Sequence, residues 1–370
     1  MRDYIRLWST FVPEDTGASI MEVISSGWLN TGEKELLLRQ ELSKKFNFPH
    51  CVATNNGTAA LRTTFAALGV GPGDEVVSTP YTFIATNTSI LEQGATPVFA
   101  DIDYDTFNID PESIDSKITK KTKAIVGVHY GGTPFDLDAV REIGRSHNLP
   151  VVEDAAHSWG SKYKGNYIGS TGHVVCFSLQ AIKILTTADG GIISTSNEEL
   201  YENLQQYVWY GVDREQRDPS SIDPMPDQID KLGFKYNMND VAAAMGLAGL
   251  RHVDEALGRR KEIGEEYRRE LSNCSRVTLV QYPDNVVPNY QIFPIHVADR
   301  PQFARHMEGL GIQVRVNNRR NDRYSIFGGL RDLPSTKRAD ADAILIPIHA
   351  DLTESEVQRI VDGVNQYDKL

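Results

Sequence analysis

Cys176-Phe-Ser-Leu-Gln-Ala-Ile-Lys183-Ile-Leu-Thr-Thr-Ala-Asp-Gly-Gly191 sets a serine and a lysine between two apolar runs that read as strands. Upstream, Val151-Val-Glu-Asp154-Ala-Ala-His157 ends another apolar run on a carboxylate, 29 residues before Lys183. That interval leaves room for one excursion between neighbouring strands. A lysine able to form an imine and an aspartate able to pair with a pyridinium nitrogen are what pyridoxal 5'-phosphate (PLP) asks of a protein. Ala181, Ile182, Ile184 and Leu185 flank the lysine, and desolvation among them lowers its pKa towards a usable nucleophile. A surface lysine that snorkels past apolar neighbours is the competing reading.

Working outward, short apolar runs recur at Glu75–Thr79, Pro97–Asp103, Ala124–His129, Pro150–Glu153, Val174–Ser178 and Gly191–Thr195. Helical patterns at Thr58–Leu68, Phe135–His147 and Glu198–Trp209 lie between several of them. Continuous apolar strands alternating with helices predict an α/β fold, a mainly parallel central sheet sandwiched by helices. Ligands in such sheets sit beyond the carboxyl ends of the strands, where Asp154 and Ser178 fall. An irregular loop is expected over Asp213–Gly233, with Pro219, Pro224 and Pro226. A long helix is expected to start near Asn239-Asp240. Arg276–Gln281, Gln291–Val297 and Ile312–Val316 read as strands of a smaller C-terminal α+β domain. The expected division is residues 1–245, a large PLP-binding domain with an N-terminal arm, and residues 246–370.

Composition fits a globular chain: 370 residues, 40% hydrophobic, 24% charged. A net charge of −12 argues against nucleic acid or an anionic membrane as partner. No run approaches the ~20 apolar residues of a spanning helix, and Met1–Pro13 lacks the apolar core of a signal peptide. Cys51, Cys176 and Cys274 are odd in number and far apart, which disfavours disulfides or a metal site and predicts a reducing compartment, the cytoplasm.

Asn55-Asn-Gly57-Thr58-Ala-Ala-Leu61 puts glycine at the mouth of a helix, where free amides and the helix dipole suit a phosphate. Ser178 could add a hydroxyl to the same phosphate. His157, three residues after Asp154, could reach the phenolic oxygen of the cofactor ring, and Phe83 could stack on its face. Each has an ordinary structural reading when taken alone.

Together and in this order, the pieces resemble the DegT/DnrJ/EryC1/StrS family of sugar aminotransferases, which have fold type I of the PLP enzymes. The resemblance runs from Ser26-Gly-Trp-Leu-Asn-Thr-Gly32 through Asn56–Leu61, Asp74–Val77, Thr96–Asp101, Val128–Gly131, Glu153–His157, Phe177-Ser178, Lys183 and Asp189–Gly191 to Lys235–Asp240. It implies that Lys183 carries PLP, or its amino form PMP, and that Asp154 partners the pyridinium. Gly57, Thr58 and Ser178 then form the phosphate cup, Phe83 stacks on the ring, and His157 takes a position that is often Gln. Asn237 matches a residue that reaches the phosphate of the other subunit, which implies a homodimer with shared sites. Val314–Arg323, with Arg315, Arg319, Arg320 and Arg323, falls where relatives line the substrate pocket, and it is richer in arginine than the general pattern. Arg319 and Arg320 cannot both point the same way on an extended segment. Relatives that carry histidine for the lysine are dehydratases; the lysine here favours transamination. The expected reaction moves an amino group from glutamate to a ketosugar, a nucleotide-linked 4-keto-6-deoxyhexose. An acidic octulosonate, or a catalytically silent scaffold dimer, are the alternatives.

Overall fold

A computed structural model describes residues 4–213, 222, 225, 226 and 228–369; much of the loop expected over 213–233, with Pro219 and Pro224, lies outside them. Seven strands form one sheet in the order His50–Thr54, Gly191–Thr195, Val174–Ser178, Val151–Asp154, Thr122–Val128, Glu75–Ser78, Thr96–Phe99. Six run the same way, and Gly191–Thr195 is antiparallel to both its neighbours. Strand alternation sorts the side chains between two cores. Val77, Ile125, Val151, Val175 and Ile192 pack with Leu38, Leu42, Val140 and Leu247. Their neighbours Val76, Ala124, Val152, Val174 and Ile193 pack on the other face with Leu61, Phe65, Leu200 and Leu204. Both faces are therefore covered by helices, as continuous apolar strands require.

The expected long helix divides. Asp240–Arg251 starts on Asn239, whose side chain accepts from the Ala242 N–H, and Val253–Glu270 follows directly. Leu247, Leu250, Val253 and Ala256 belong to the first core, whereas Ile263 and Tyr267 belong to a second one. The change of core thus falls between Ala256 and Ile263. The second core is built on the antiparallel strands Val277–Leu279, Phe293–Val297 and Ala343–Ile346 and on helices Arg300–Gly309 and Glu354–Tyr367. Ile312–Val316 makes no strand: Ile312 bridges Ile5 and Arg315 bridges Leu345, so its polar backbone is split between two partners rather than committed to one ladder. Between the first two of these strands, Val286–Val287 pairs with Lys162–Tyr163, which also pairs with Asn166–Tyr167, in a separate small three-stranded sheet. Among the described residues no helix is long and apolar enough to cross a membrane.

Candidate active site

Two adjacent parallel strands place the first residues. Asp154 ends Val151–Asp154 in register with Cys176, and Ser178 ends the neighbouring strand. Period-two alternation puts Asp154 and Ser178 on the face of Val152 and Val174, beneath helix Gly57–Ala67. That helix meets Ser178 end on: a Cβ on Gly57 would lie 2.8 Å from the Ser178 Cβ, so only glycine permits the approach. Asn56 caps the helix by accepting from the Ala59 N–H. The Gly57 and Thr58 N–H groups are left without an intrahelical partner, at the positive end of the dipole. Trp159, itself buried, donates its indole N–H to the Ser178 carbonyl at 2.8 Å, which ties the strand end to the core.

Lys183 sits in the excursion from Leu179 to Gly190 that joins two strands. Burial outweighs the pull of the Asp154 carboxylate and pushes its ammonium down to about 8. Asp154 is buried, which raises its carboxyl despite a hydrogen bond from the Thr86 hydroxyl (2.7 Å) and another from the Ala156 N–H (3.1 Å). His157 is driven well below the ordinary histidine range by burial and then by the charge of Lys183; it stays neutral at neutral pH. Its Nδ1 is buried and has no hydrogen-bond partner. Phe83, 64% exposed, opens the helix Ile84–Leu91 that carries Thr86.

The remaining candidates separate. Asn237 is bridged to Thr54, and its amide donates to the Thr31 hydroxyl and accepts from Lys235. Arg315 pairs with Glu308 on the surface, and Arg323 pairs with Asp340. Arg320 is buried in a two-bond pair with Asp322, both at 2.7 Å. Arg319 is exposed and is the one arginine of the four without an ion pair among the described residues. The segment still reaches the site, because Asn317 donates to the Tyr130 hydroxyl and Asn321 to the Thr82 carbonyl. In the amide orientation that satisfies its own atoms, Asn318 accepts from the Phe83 N–H at 3.3 Å.

Several polar residues of the site carry no signal in the sequence. Thr82 and Thr86 form a hydroxyl chain to Asp154. Asn87 and Asn321 join through their amides at 2.8 Å, and Asn289 and Gln291 bind the backbone around His157 and Lys183. Each is an ordinary Thr, Asn or Gln whose partner is brought by folding.

These residues fit PLP on chemical grounds. A desolvated amine, a buried carboxylate, a glycine-cleared helix mouth and an orphaned imidazole nitrogen match an aldehyde, a pyridinium, a phosphate and a phenolic oxygen. A family model for the DegT/DnrJ/EryC1/StrS aminotransferase family matches residues 12–365. The sugar aminotransferase CalS13 from Micromonospora echinospora superposes with a TM-score of 0.93 at 32% identity, over 98% of this chain and 99% of that one. The aminotransferase TlmJ from Streptoalloteichus hindustanus gives 0.91 at 30% identity, over 98% of each chain. Spr1654 from Streptococcus pneumoniae, solved in PLP and PMP forms, gives 0.91 at 27% identity over 99% of each. Fold and relatives place the chain among the PLP-dependent aminotransferases. Within that class it belongs to the DegT/DnrJ/EryC1/StrS aminotransferase family, and its activity is that of a sugar aminotransferase.

Proposed function

We propose that the protein transfers the amino group of glutamate to a nucleotide-linked 4-keto-6-deoxyhexose. Bound PLP supplies an electron sink and a carrier for the amino group. Lys183 would hold it, and its Nζ would carry the proton to and from the reacting carbon. A depressed ammonium suits that double task, since both protonation states are accessible near neutral pH. Asp154 would hold the proton of the ring nitrogen, with Thr86 orienting its carboxylate, and the unpartnered His157 Nδ1 would serve the phenolic oxygen. Gly57, Thr58 and Ser178 would cradle the phosphate, and Phe83 would cover the ring. The same groups serve both halves of the reaction, which predicts ping-pong kinetics.

The observation that carries the substrate reading is Arg319, exposed and without an ion pair among the described residues, beside Asn317 and Asn318 on a segment docked at Phe83. A guanidinium with no internal carboxylate suits the diphosphate of a nucleotide sugar. Two copies of the chain are proposed to form the working unit, in the cytoplasm. Supporting this are exposed Met21, Ile24, Trp28, Leu36 and Leu37 on the first two helices and the loop between them; the same loop carries Thr31, to which Asn237 donates. Three free cysteines suit a reducing compartment. A panel of nucleotide-linked ketosugars incubated with glutamate, read by product mass, tests the proposal. Amination of the 4-keto-6-deoxy members is expected; turnover of other ketosugars alone contradicts it.

A further inference from the structure

The Leu179–Gly190 excursion contains neither a regular helix nor a strand. Within itself it is tied by Leu179 N–H to the Gly190 carbonyl (2.8 Å), Thr187 N–H to the Leu179 carbonyl (2.9 Å) and Lys183 N–H to the Gln180 carbonyl (2.8 Å). The Ile182 carbonyl and the Ile184 N–H, on either side of Lys183, are held from elsewhere. Gln291, buried and more than a hundred residues downstream, donates its amide to the Ile182 carbonyl at 2.9 Å and accepts from the Ile184 N–H at 3.2 Å. One carboxamide thus spans the lysine.

Gln291 is fixed in turn. Its own N–H donates to the Asn289 side-chain oxygen at 2.9 Å, and the Asn289 amide donates to the carbonyls of His157 (2.7 Å) and Trp159 (2.8 Å). Buried Arg260 donates to the carbonyls of Tyr290, Gln291 and Ile348, at 3.0, 3.1 and 3.0 Å. It makes no ion pair among the described residues, so its hydrogen bonds go to backbone alone. The segment 289–291 leads directly into the central strand of the smaller sheet.

We infer that Gln291, seated on Asn289 and Arg260, is a positioning residue that sets the backbone around Lys183 in register with the backbone carrying His157. A lysine side chain is long and flexible, and a displacement of about 1 Å at a reacting group can cost on the order of a hundredfold in rate. Gln291, next to Tyr290 of the second core, adds to the excursion's own bonds a constraint that comes from outside it. The inference rests on Lys183 as the PLP-bearing lysine; borohydride labelling of the wild-type protein tests that point separately.

Gln291→Met keeps length and burial but removes both bonds. In the cofactor-free protein, the Ile184 amide is expected to exchange hydrogen about tenfold faster or more, with Leu179 and Thr187 unchanged. This readout does not depend on PLP. In the loaded protein, the pH midpoint of the visible absorbance band is expected to move by about half a unit or more. With it kcat falls about tenfold while KM for glutamate stays within about twofold. Wild-type exchange at Ile184, or an unmoved midpoint with faster exchange spread through 293–297, overturns the inference. Gln291→Asn keeps the carboxamide but is one methylene too short to span both groups. If the Met variant does not fold, the Asn variant must show the faster Ile184 exchange and the shifted midpoint, and wild-type values in it overturn the inference equally.

Discussion

The Thr86 hydroxyl donates to Asp154 Oδ2 at 2.7 Å, and Thr82 lies 2.9 Å behind it, so a two-hydroxyl chain ends on the strand-end carboxylate. Burial raises the Asp154 carboxyl and this hydrogen bond lowers it. A buried carboxylate that loses such a donor costs about 1–3 kcal/mol. Thr86→Val is therefore expected to lower kcat roughly tenfold or more and to move the acid limb of the kcat–pH profile upward, because more Asp154 is protonated and unable to hold the ring nitrogen. Thr86→Ser should retain the wild-type profile. An unshifted limb in the valine variant would show that the hydroxyl does not tune Asp154.

The depressed ammonium of Lys183 gives a second test. In cofactor-free protein the rate of PLP capture should climb with pH to a plateau, with its midpoint near 8, whereas an ordinary lysine would have its midpoint at about 10.4. Asp154 pulls the Lys183 ammonium up, so Asp154→Asn should move the plateau to lower pH. Stopped-flow absorbance reads both. A plateau that rises in the variant contradicts the coupling.

The arginines can be separated one by one. Arg319→Ala is expected to raise KM for the ketosugar about tenfold and leave the glutamate half-reaction unchanged. Arg315→Ala, which breaks a surface pair with Glu308, should change neither, as exposed pairs contribute about 0–1 kcal/mol. Arg320→Ala strands Asp322, whose side chain is fully buried, and is expected to cost about 3–5 kcal/mol, read as a lowered Tm. Wild-type KM in Arg319→Ala would place the anion site elsewhere.

Much of this was legible in the sequence for a physical reason. Asp154, Ser178, Gly57 and Lys183 lie at strand ends, a helix mouth and an apolar-flanked excursion, so their local context announces their placement. The helices at 57–67, 137–146 and 198–207 likewise follow from local periodicity. The state of the arginines was not legible, because Glu308 and Asp340, seven and 17 positions from Arg315 and Arg323, become their partners only through the turns the chain makes between them. The roles of Thr86, Asn289 and Gln291 were further out of reach, since their acceptors lie 68, 132 and 109 positions away. The strand pattern over Ile312–Val316 misled, since apolar alternation reports burial and not whether one ladder takes the backbone.

Asn237 gives a test of assembly. If it serves the partner's cofactor, mixing inactive Lys183→Ala with inactive Asn237→Ala protein should restore activity once subunits exchange, because one of the two mixed sites then has both residues native. Complete exchange, followed by mass spectrometry of differently tagged subunits, without recovered turnover would show that each chain builds its own site.

The central claim is that Lys183 bears the cofactor. Borohydride reduction of the PLP-loaded protein, followed by proteolysis and peptide mass mapping, tests it directly. The pyridoxyl group is expected on the peptide containing Lys183 and on no other lysine, and Lys183→Ala protein should take up no label. Label on a different lysine, or wild-type labelling of the Lys183→Ala protein, would contradict the account.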